Sequence, residues 1–584
     1  MKMLWTQFIL LLVVIMACFC TLVRLEPMLD KSTLSANLRG KVWIVSHGGV
    51  GSEYFRSLLG SHSVFELSMT KVGEGKKKRP FRGVAAHYPS PPVGGPLLCI
   101  YIYGDVYSSI LSQLRRHPDN PAKLHNDESY PLYSELGALL DAFEEGGEEP
   151  FGIERQYRYF SGSEVSYPVV MLRSDAVQHE WVLRQLDELI RNTTGVSTTL
   201  ASSYKWASRA SKMANVEESL RARFVEKYGY LDAMFKSNAP MTVRFPCSAH
   251  HSEQHIKLRP EGQRSKFMKI AHKWTDTSWA RFMHGPRARI KHIIEIEEFH
   301  VVNYRLDLNA TILAWKKSDT NPMVFPGPEV PVPPLLHNNF FGMEDPRAFT
   351  WLGKPYVVCN GAMENWRTRS TFIIDLREQR VTKLWISHKG HDTKNQEEIC
   401  FSGKQPAIGN CIEKNWTPYV HKDKVMIMYK MGTTTPTILE LVDAMTGECH
   451  IVVDHPMAIS LHTRKHAGGS SFIPWSYPYH VSVAHITHME SSGVIVWRAV
   501  PMLYNAETHV SIFAPSITFP VPQTKLATQR FRFNKDVQYP YHVALTAEGT
   551  ITLAVEHNDR YPTWYKLSVL DFSRLLPCIK DVSK

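Results

Sequence analysis

Three kinds of hydrophobic pattern succeed one another along the chain. The first is an apolar run without charge from Leu4 to Val23, interrupted only by Thr6, Gln7 and Thr21 and flanked by Lys2 and Arg24. A run of about 20 such residues spans a hydrocarbon core of about 30 Å as a helix. A cleaved signal peptide has a shorter apolar stretch ending in a small-x-small site, for which the nearest match is Cys18-Phe19-Cys20. The expectation is a signal anchor over residues 1–27, a stem over 28–39 and a lumenal body, which places the protein in the membrane of the Golgi or ER.

The second pattern alternates short β-branched runs with segments of helical spacing. Lys41 to Ser46 reads as a buried strand and Glu53 to Leu59 as the start of a helix. Leu97 to Tyr103 is followed by Val106 to Arg116, and Pro168 to Leu172 by Asp175 to Arg191, where Val182, Leu183, Leu186, Leu189 and Ile190 form one apolar face. Strands alternating with helices predict a parallel sheet with crossovers, an α/β domain over residues 40–245. A polar connector follows over 246–290.

The third pattern begins at Ile293, where short strands rich in Val, Ile, Tyr and Trp alternate with Gly, Pro, Asn and Asp. Phe299 to Arg305, Pro355 to Cys359, Lys424 to Tyr429, His480 to His485 and Thr550 to Glu556 recur at intervals of roughly 55 to 70 residues, a period that suggests blades. The expectation is a multidomain protein: the α/β domain, then an all-β five-bladed propeller over 291–578, with a pair of β-sandwiches as the alternative.

Composition narrows this picture. The 584 residues are 43% apolar and 21% charged, which excludes a disordered chain and supports two or more domains. The net charge of +11 favours anionic partners, but the basic residues are dispersed and the one dense run, Lys76 to Arg79, reads as a solvated loop, so nucleic acid is not expected. Acceptor sequons at Asn192, Asn309 and Asn415 agree with a lumenal body. Outside the apolar segment the cysteines are Cys99, Cys247, Cys359, Cys400, Cys411, Cys449 and Cys578, without metal-ligand spacing; Cys400 and Cys411 can close a short loop, and a set of buried thiols is the equal alternative. No metal site is expected. His250, His251 and His255 read as a solvated surface.

Between the first strand and helix stands the turn His47-Gly48-Gly49-Val50-Gly51-Ser52. Glycines before a helix N-terminus let backbone N–H groups approach an anion, so His47, Gly48, Gly49, Gly51 and Ser52 form a candidate phosphate site. It lacks the Gly-Lys-Ser/Thr of a nucleoside triphosphatase. Together with IYIYGDVYSSILS and VVMLRSDAV, this turn resembles the P-loop sulfotransferase family. The resemblance implies a sulfotransferase-like fold and phosphoadenosine phosphosulfate as donor, with the glycine turn on its 5′-phosphosulfate, Ser112 on its 3′-phosphate and His47 at the place of a catalytic base or lysine. Gly104 stands where the family usually has an arginine.

The most specific string is His337-Asn338-Asn339-Phe340-Phe341-Gly342-Met343-Glu344-Asp345-Pro346-Arg347-Ala348-Phe349. It puts a candidate proton donor beside a fixed guanidinium. On a strand of period two, only one of Glu344 and Asp345 faces a central funnel. Asn360, Arg367 and Arg369 follow, then Glu413 to Tyr419 with Lys414 and Asn415, then Gly468-Gly469-Ser470-Ser471 with His485, then Glu556-His557-Asn558-Asp559. Carboxylates, cations, amides and aromatics together suit a sugar phosphate or a glycosidic substrate. In this order the motifs resemble the five-bladed propeller family of β-mannoside phosphorylases and β-1,2-mannosyltransferases, over about Phe299 to Asp559. The resemblance implies that Asp345 is the general acid, acting through a sugar hydroxyl. It further implies that Arg347, Arg367 or Arg369, and Lys414 hold phosphate with help from His485, that Asp559 binds sugar hydroxyls, and that Glu344, Asn360 and Asn415 complete the substrate site. The expected activity is mannosyl or related hexosyl transfer or phosphorolysis on a glycan, from a sugar nucleotide or sugar phosphate. A glycan sulfotransferase in the first domain and a non-catalytic glycan-binding protein are the alternatives.

Overall fold

The computed structural model describes residues 42–46, 96–116, 135–146, 149–162, 165–198, 200–203, 212–247, 260–261, 289–307, 310–317, 323–325, 341–362, 370–387, 416–430, 436–453, 465–489, 495–520, 536–558 and 561–579. The anchor, the stem and the glycine turn expected from the sequence lie outside them. Among the described residues no helix is long and apolar enough to cross a membrane. The chain divides into two compact units, Met1–Gln156 with Tyr167–Phe224, and Tyr157–Ser166 with Val225–Lys584. This division falls short of residue 245 and gives residues 157–166 to the second unit.

In the first unit, strands β1 (Val42–Ser46), β2 (Leu98–Tyr103) and β3 (Val169–Arg173) pair in parallel, from Val42↔Leu98 and from Cys99↔Val169 onward. Their side chains are almost entirely buried, as parallel strands covered on both faces require. Helix Glu180–Thr194 buries Val182, Leu183, Leu186, Leu189 and Ile190, the apolar face read from the sequence, and ends at Gly195 in the left-handed conformation. Gly104 closes β2 with φ +133°, and a Cβ there would lie 2.5 Å from Ser174 Oγ. A side chain at this position would have to displace Ser174 and hold a backbone conformation that L residues rarely adopt. Ser112 is buried in helix Val106–Arg116. With the glycine turn undescribed, phosphosulfate binding gains no support.

The second unit is mostly β-sheet. Strand β4 (Met241–Arg244) packs against the C-terminal helix Val569–Leu575, and β5 (Pro260–Glu261) follows in the expected connector. Five antiparallel meanders come next. The first comprises β6 (Arg289–Ile296), β7 (Phe299–Asp307), β8 (Ala310–Lys317) and β9 (Met323–Phe325). The second comprises β10 (Phe341–Trp351), β11 (Lys354–Ala362), β12 (Ser370–Asp375) and β13 (Arg380–Lys383). After β14 (Trp385–Ser387), which pairs in parallel with β18, the third holds β15 (Thr417–His421), β16 (Lys424–Lys430), β17 (Thr437–Asp443) and β18 (Glu448–Val453). The fourth is built from β19 (Lys465–Ala467), β20 (Ile473–Pro474), β21 (Tyr479–Met489), β22 (Ile495–Asn505) and β23 (Ser511–Phe513). The fifth contains β24 (Asp536–Leu545), β25 (Thr550–His557) and β26 (Tyr561–Ser568), and its outer strand is β5.

Neighbouring meanders share cores. Ile293, Val301, Met343, Val357, Tyr541 and Trp564 join the first, second and fifth. Val358, Ile373, Ile427 and Leu439 join the second to the third, and Tyr419, Ile438, Ala484 and Tyr504 the third to the fourth. Short parallel pairing of β22 with β24 joins the fourth to the fifth. These contacts make a cycle of neighbours, propeller-like in order. Pairing of β5 with β26 draws chain from ahead of the first meander onto the last, so part of the expected connector belongs to the sheet. A disulfide links Cys247 to Cys578, while Cys400 and Cys411 lie outside the described residues.

Candidate functional site

The acidic string lies on β10, and its geometry starts from a bulge. Glu344 pairs with Asn360 and Arg347 with Val358, so β10 carries one residue more than β11 between these pairs. Pro346 has no N–H for the ladder, and Asp345 adopts φ +52°, in the left-handed region that Asp tolerates better than most residues. The period of two is thereby broken. Glu344 and Arg347, three apart, share a face with Asn360 and Val358, whereas Met343, Ala348 and Cys359 point into the core on the other side.

Arg347 is only 1% exposed, and its guanidinium is engaged by protein oxygens. Nε donates to Gly469 O (2.6 Å), one terminal nitrogen to Asp345 O (2.9 Å), and the other to Gly468 O (3.5 Å) and the Tyr539 hydroxyl. The second, fourth and fifth meanders thus meet at one side chain. The donors in these four bonds are turned to the fold, and the expected phosphate role of Arg347 stands as an expectation. Gly469 is required there for a second reason, since a Cβ on it would lie 2.0 Å from Val483 O.

Asn360 is buried beside Glu344, and its Oδ1 accepts from Thr371 Oγ1 at 3.3 Å. Its Nδ2 has no partner among the described residues, and an unsatisfied buried donor costs about 1–3 kcal/mol unless another group takes it. His485 stacks on Trp497 with ring centroids 5.1 Å apart and meets the ring of Tyr539 edge-on at 5.0 Å. Beyond Tyr539, His292 and Glu556 form a buried pair, Nε2 to Oε2 2.9 Å, under the ring of Tyr541 at 4.4 Å. Burial pushes the Tyr541 hydroxyl well above its usual pKa, opposed by the Ile293 N–H and reinforced by Glu556. Burial likewise pushes up the Cys359 thiol, with Arg347 opposing and Asp345 reinforcing, which disfavours its thiolate.

The structure therefore brings Glu344, Asp345, Arg347 and Asn360 together on two strands and connects them to His485 through Tyr539. Arg367, Arg369, Lys414, Asn415 and Asp559 lie outside the described residues, as do His47, Gly48, Gly49, Gly51 and Ser52. Tyr539 and His292 carry no motif in the sequence and were not anticipated. Glu556 and Gly469 sit in strings that the sequence does mark. Two carboxylates, an open amide donor and aromatic rings form a set able to move a proton and bind hydroxyl groups.

No family model matches the sequence, and no curated protein matches it. Solved structures do align with it at low similarity. MPT-4, a mannose phosphorylase from Leishmania mexicana in complex with phosphate ion, is 10% identical over 51% of this chain and 89% of its own, with a TM-score of 0.34. MPT-1, a GDP-Man-dependent mannosyltransferase from the same organism, is 8% identical over 48% and 86%, with a TM-score of 0.31. A β-1,2-mannobiose phosphorylase from Listeria innocua is 9% identical over 50% and 94%, again with a TM-score of 0.31. Likeness at this level decides nothing about the activity of this chain.

Proposed function

We propose that the second unit is a glycan-modifying enzyme that transfers or phosphorolyses mannosyl or related hexosyl groups, with Asp345 as the general acid/base. The observation that carries this reading is the bulge: a carboxylate-bearing residue is held at φ +52° while a buried guanidinium binds its carbonyl. Beside it, Glu344 and the open amide of Asn360 share a strand face, an arrangement suited to gripping sugar hydroxyls around a proton-transfer step. The order of motifs in the sequence supports the same reading, with a sugar nucleotide or sugar phosphate as donor. The Cys247–Cys578 disulfide supports an oxidising compartment, and with it the secretory setting.

The test is a donor screen on the full-length protein with GDP-mannose and mannose 1-phosphate, and with β-mannosides plus phosphate. Turnover that disappears in Asp345→Asn is the expected result. Binding of glycans without turnover of any donor would leave a glycan-binding protein instead.

A further inference from the structure

We propose that Tyr539 is a positioning residue for the Asp345 carboxyl, acting through Arg347; this rests on the assignment of Asp345 above. A guanidinium is planar, and its five N–H donors keep fixed directions. Its orientation in this protein is fixed from two sides, by Gly469 O at 2.6 Å and by the Tyr539 hydroxyl, leaving a terminal nitrogen aimed at Asp345 O at 2.9 Å. That last bond closes across the bulge and restrains the peptide following Asp345, where the strand leaves its regular path. Asp345 lies in the left-handed region, which is costly for a side-chain-bearing residue and needs surrounding contacts to hold it. Asp345 and Tyr539 stand on different meanders, and the guanidinium connects them.

Tyr539 is itself immobilised. The residue before it, Gln538, exchanges two hydrogen bonds with the Phe519 backbone, Phe519 N–H to Oε1 at 2.9 Å and Nε2 to Phe519 O at 3.1 Å. One residue earlier, Val537 N–H donates to Asn558 Oδ1 at 3.1 Å and Val537 O accepts from Asn558 N–H at 2.8 Å. The Tyr539 ring packs edge-on against His485. The hydroxyl is thus a fixed post against which the guanidinium is set, and the catalytic carboxyl takes its direction from the far end.

Tyr539→Phe removes only the hydroxyl and keeps the ring packing. In the donor assay we expect kcat to fall about tenfold with KM changed less than twofold and with the acid limb of the pH–rate profile displaced, whereas a packing role would leave kcat and the profile alone. A denaturant double-mutant cycle of Tyr539→Phe with Asp345→Gly reads the same device without activity, because glycine takes positive φ freely and no longer needs the restraint. Non-additivity of at least about fivefold in the unfolding equilibrium constant is expected; additivity within twofold overturns the proposal. A wild type that turns over no donor but shows this non-additivity would refute the catalytic reading and leave the relay standing. Arg347→Lys, which keeps the charge and loses the fork, should reproduce both effects of Tyr539→Phe, and failure to do so would also overturn it.

Discussion

His542 on β24 is 8% exposed, and its Nδ1 finds no hydrogen-bond partner among the described residues. Burial lowers its pKa to about 4. His480 is lowered to about 4 by burial, partly offset by the Val420 and Pro478 carbonyls, and His421 to about 4 by burial and by His480 beside it. A histidine that stays neutral when folded and takes a proton when unfolded makes the unfolded state bind more protons between about pH 6.5 and 4. Its contribution to stability is therefore complete above pH 6.5 and is lost as the pH falls through that window. Urea denaturation at a series of pH values should show stability declining across this range, and His542→Phe should reduce the slope by up to one proton. An unchanged slope would mean that His542 is already protonated in the folded state.

Among the elements, the strings most legible in the sequence share one position. Phe299 to Arg305, Pro355 to Cys359, Lys424 to Tyr429, His480 to His485 and Thr550 to Glu556 fall on β7, β11, β16, β21 and β25, each an inner strand of its meander. An inner strand has a partner on either side and packs on both faces, so its apolar run is dense; Val357, Val358 and Cys359 are all fully buried. Shorter strands such as β5, β19 and β20 hold too few residues for any period to be read. The β10 bulge was hidden for a different reason: nothing in Glu-Asp-Pro-Arg, apart from the proline, tells a regular strand from one that gains a residue. In the sequence Arg347 reads as an anion ligand, and its partners at Gly468, Gly469 and Tyr539 are visible only through tertiary contacts. Gly469→Ala tests this packing. A methyl 2.0 Å from Val483 O must displace backbone and with it an acceptor of Arg347, so a loss of about 1–3 kcal/mol is expected. Gly353→Ala, at φ +69° with nothing within 4 Å, should cost about 1 kcal/mol, from backbone conformation alone. Equal losses by denaturant titration would contradict the close approach.

For the whole molecule, the alternation of patterns indicated a parallel α/β portion and a β-rich portion, and both are present. The tie between the last meander and chain far upstream was not legible, because β5 is two residues long and the disulfide partners are 331 residues apart. Cys247→Ser removes a cross-link whose effect falls mainly on the unfolded chain, and a loss of about 2–5 kcal/mol is expected. Thermal unfolding of the oxidised wild type should lie above that of the variant, and reductant should bring the two together. A variant as stable as the oxidised protein would show that the pairing of β5 with β26 holds the second unit closed without the disulfide.

We propose that the carboxyl held at the β10 bulge moves the proton in a glycosyl transfer. The most direct measurement is kcat, with the donor that the wild type accepts, for Asp345→Asn beside Glu344→Gln and the wild type, each first confirmed as folded by its melting temperature. Asparagine keeps the shape and the tolerance of positive φ while removing the ionisable proton. Turnover in Asp345→Asn should fall by roughly 10² to 10⁴, the range of general acid–base catalysis, with sugar binding retained and a smaller effect of Glu344→Gln. Near-wild-type turnover in Asp345→Asn would show that Asp345 does not move the proton.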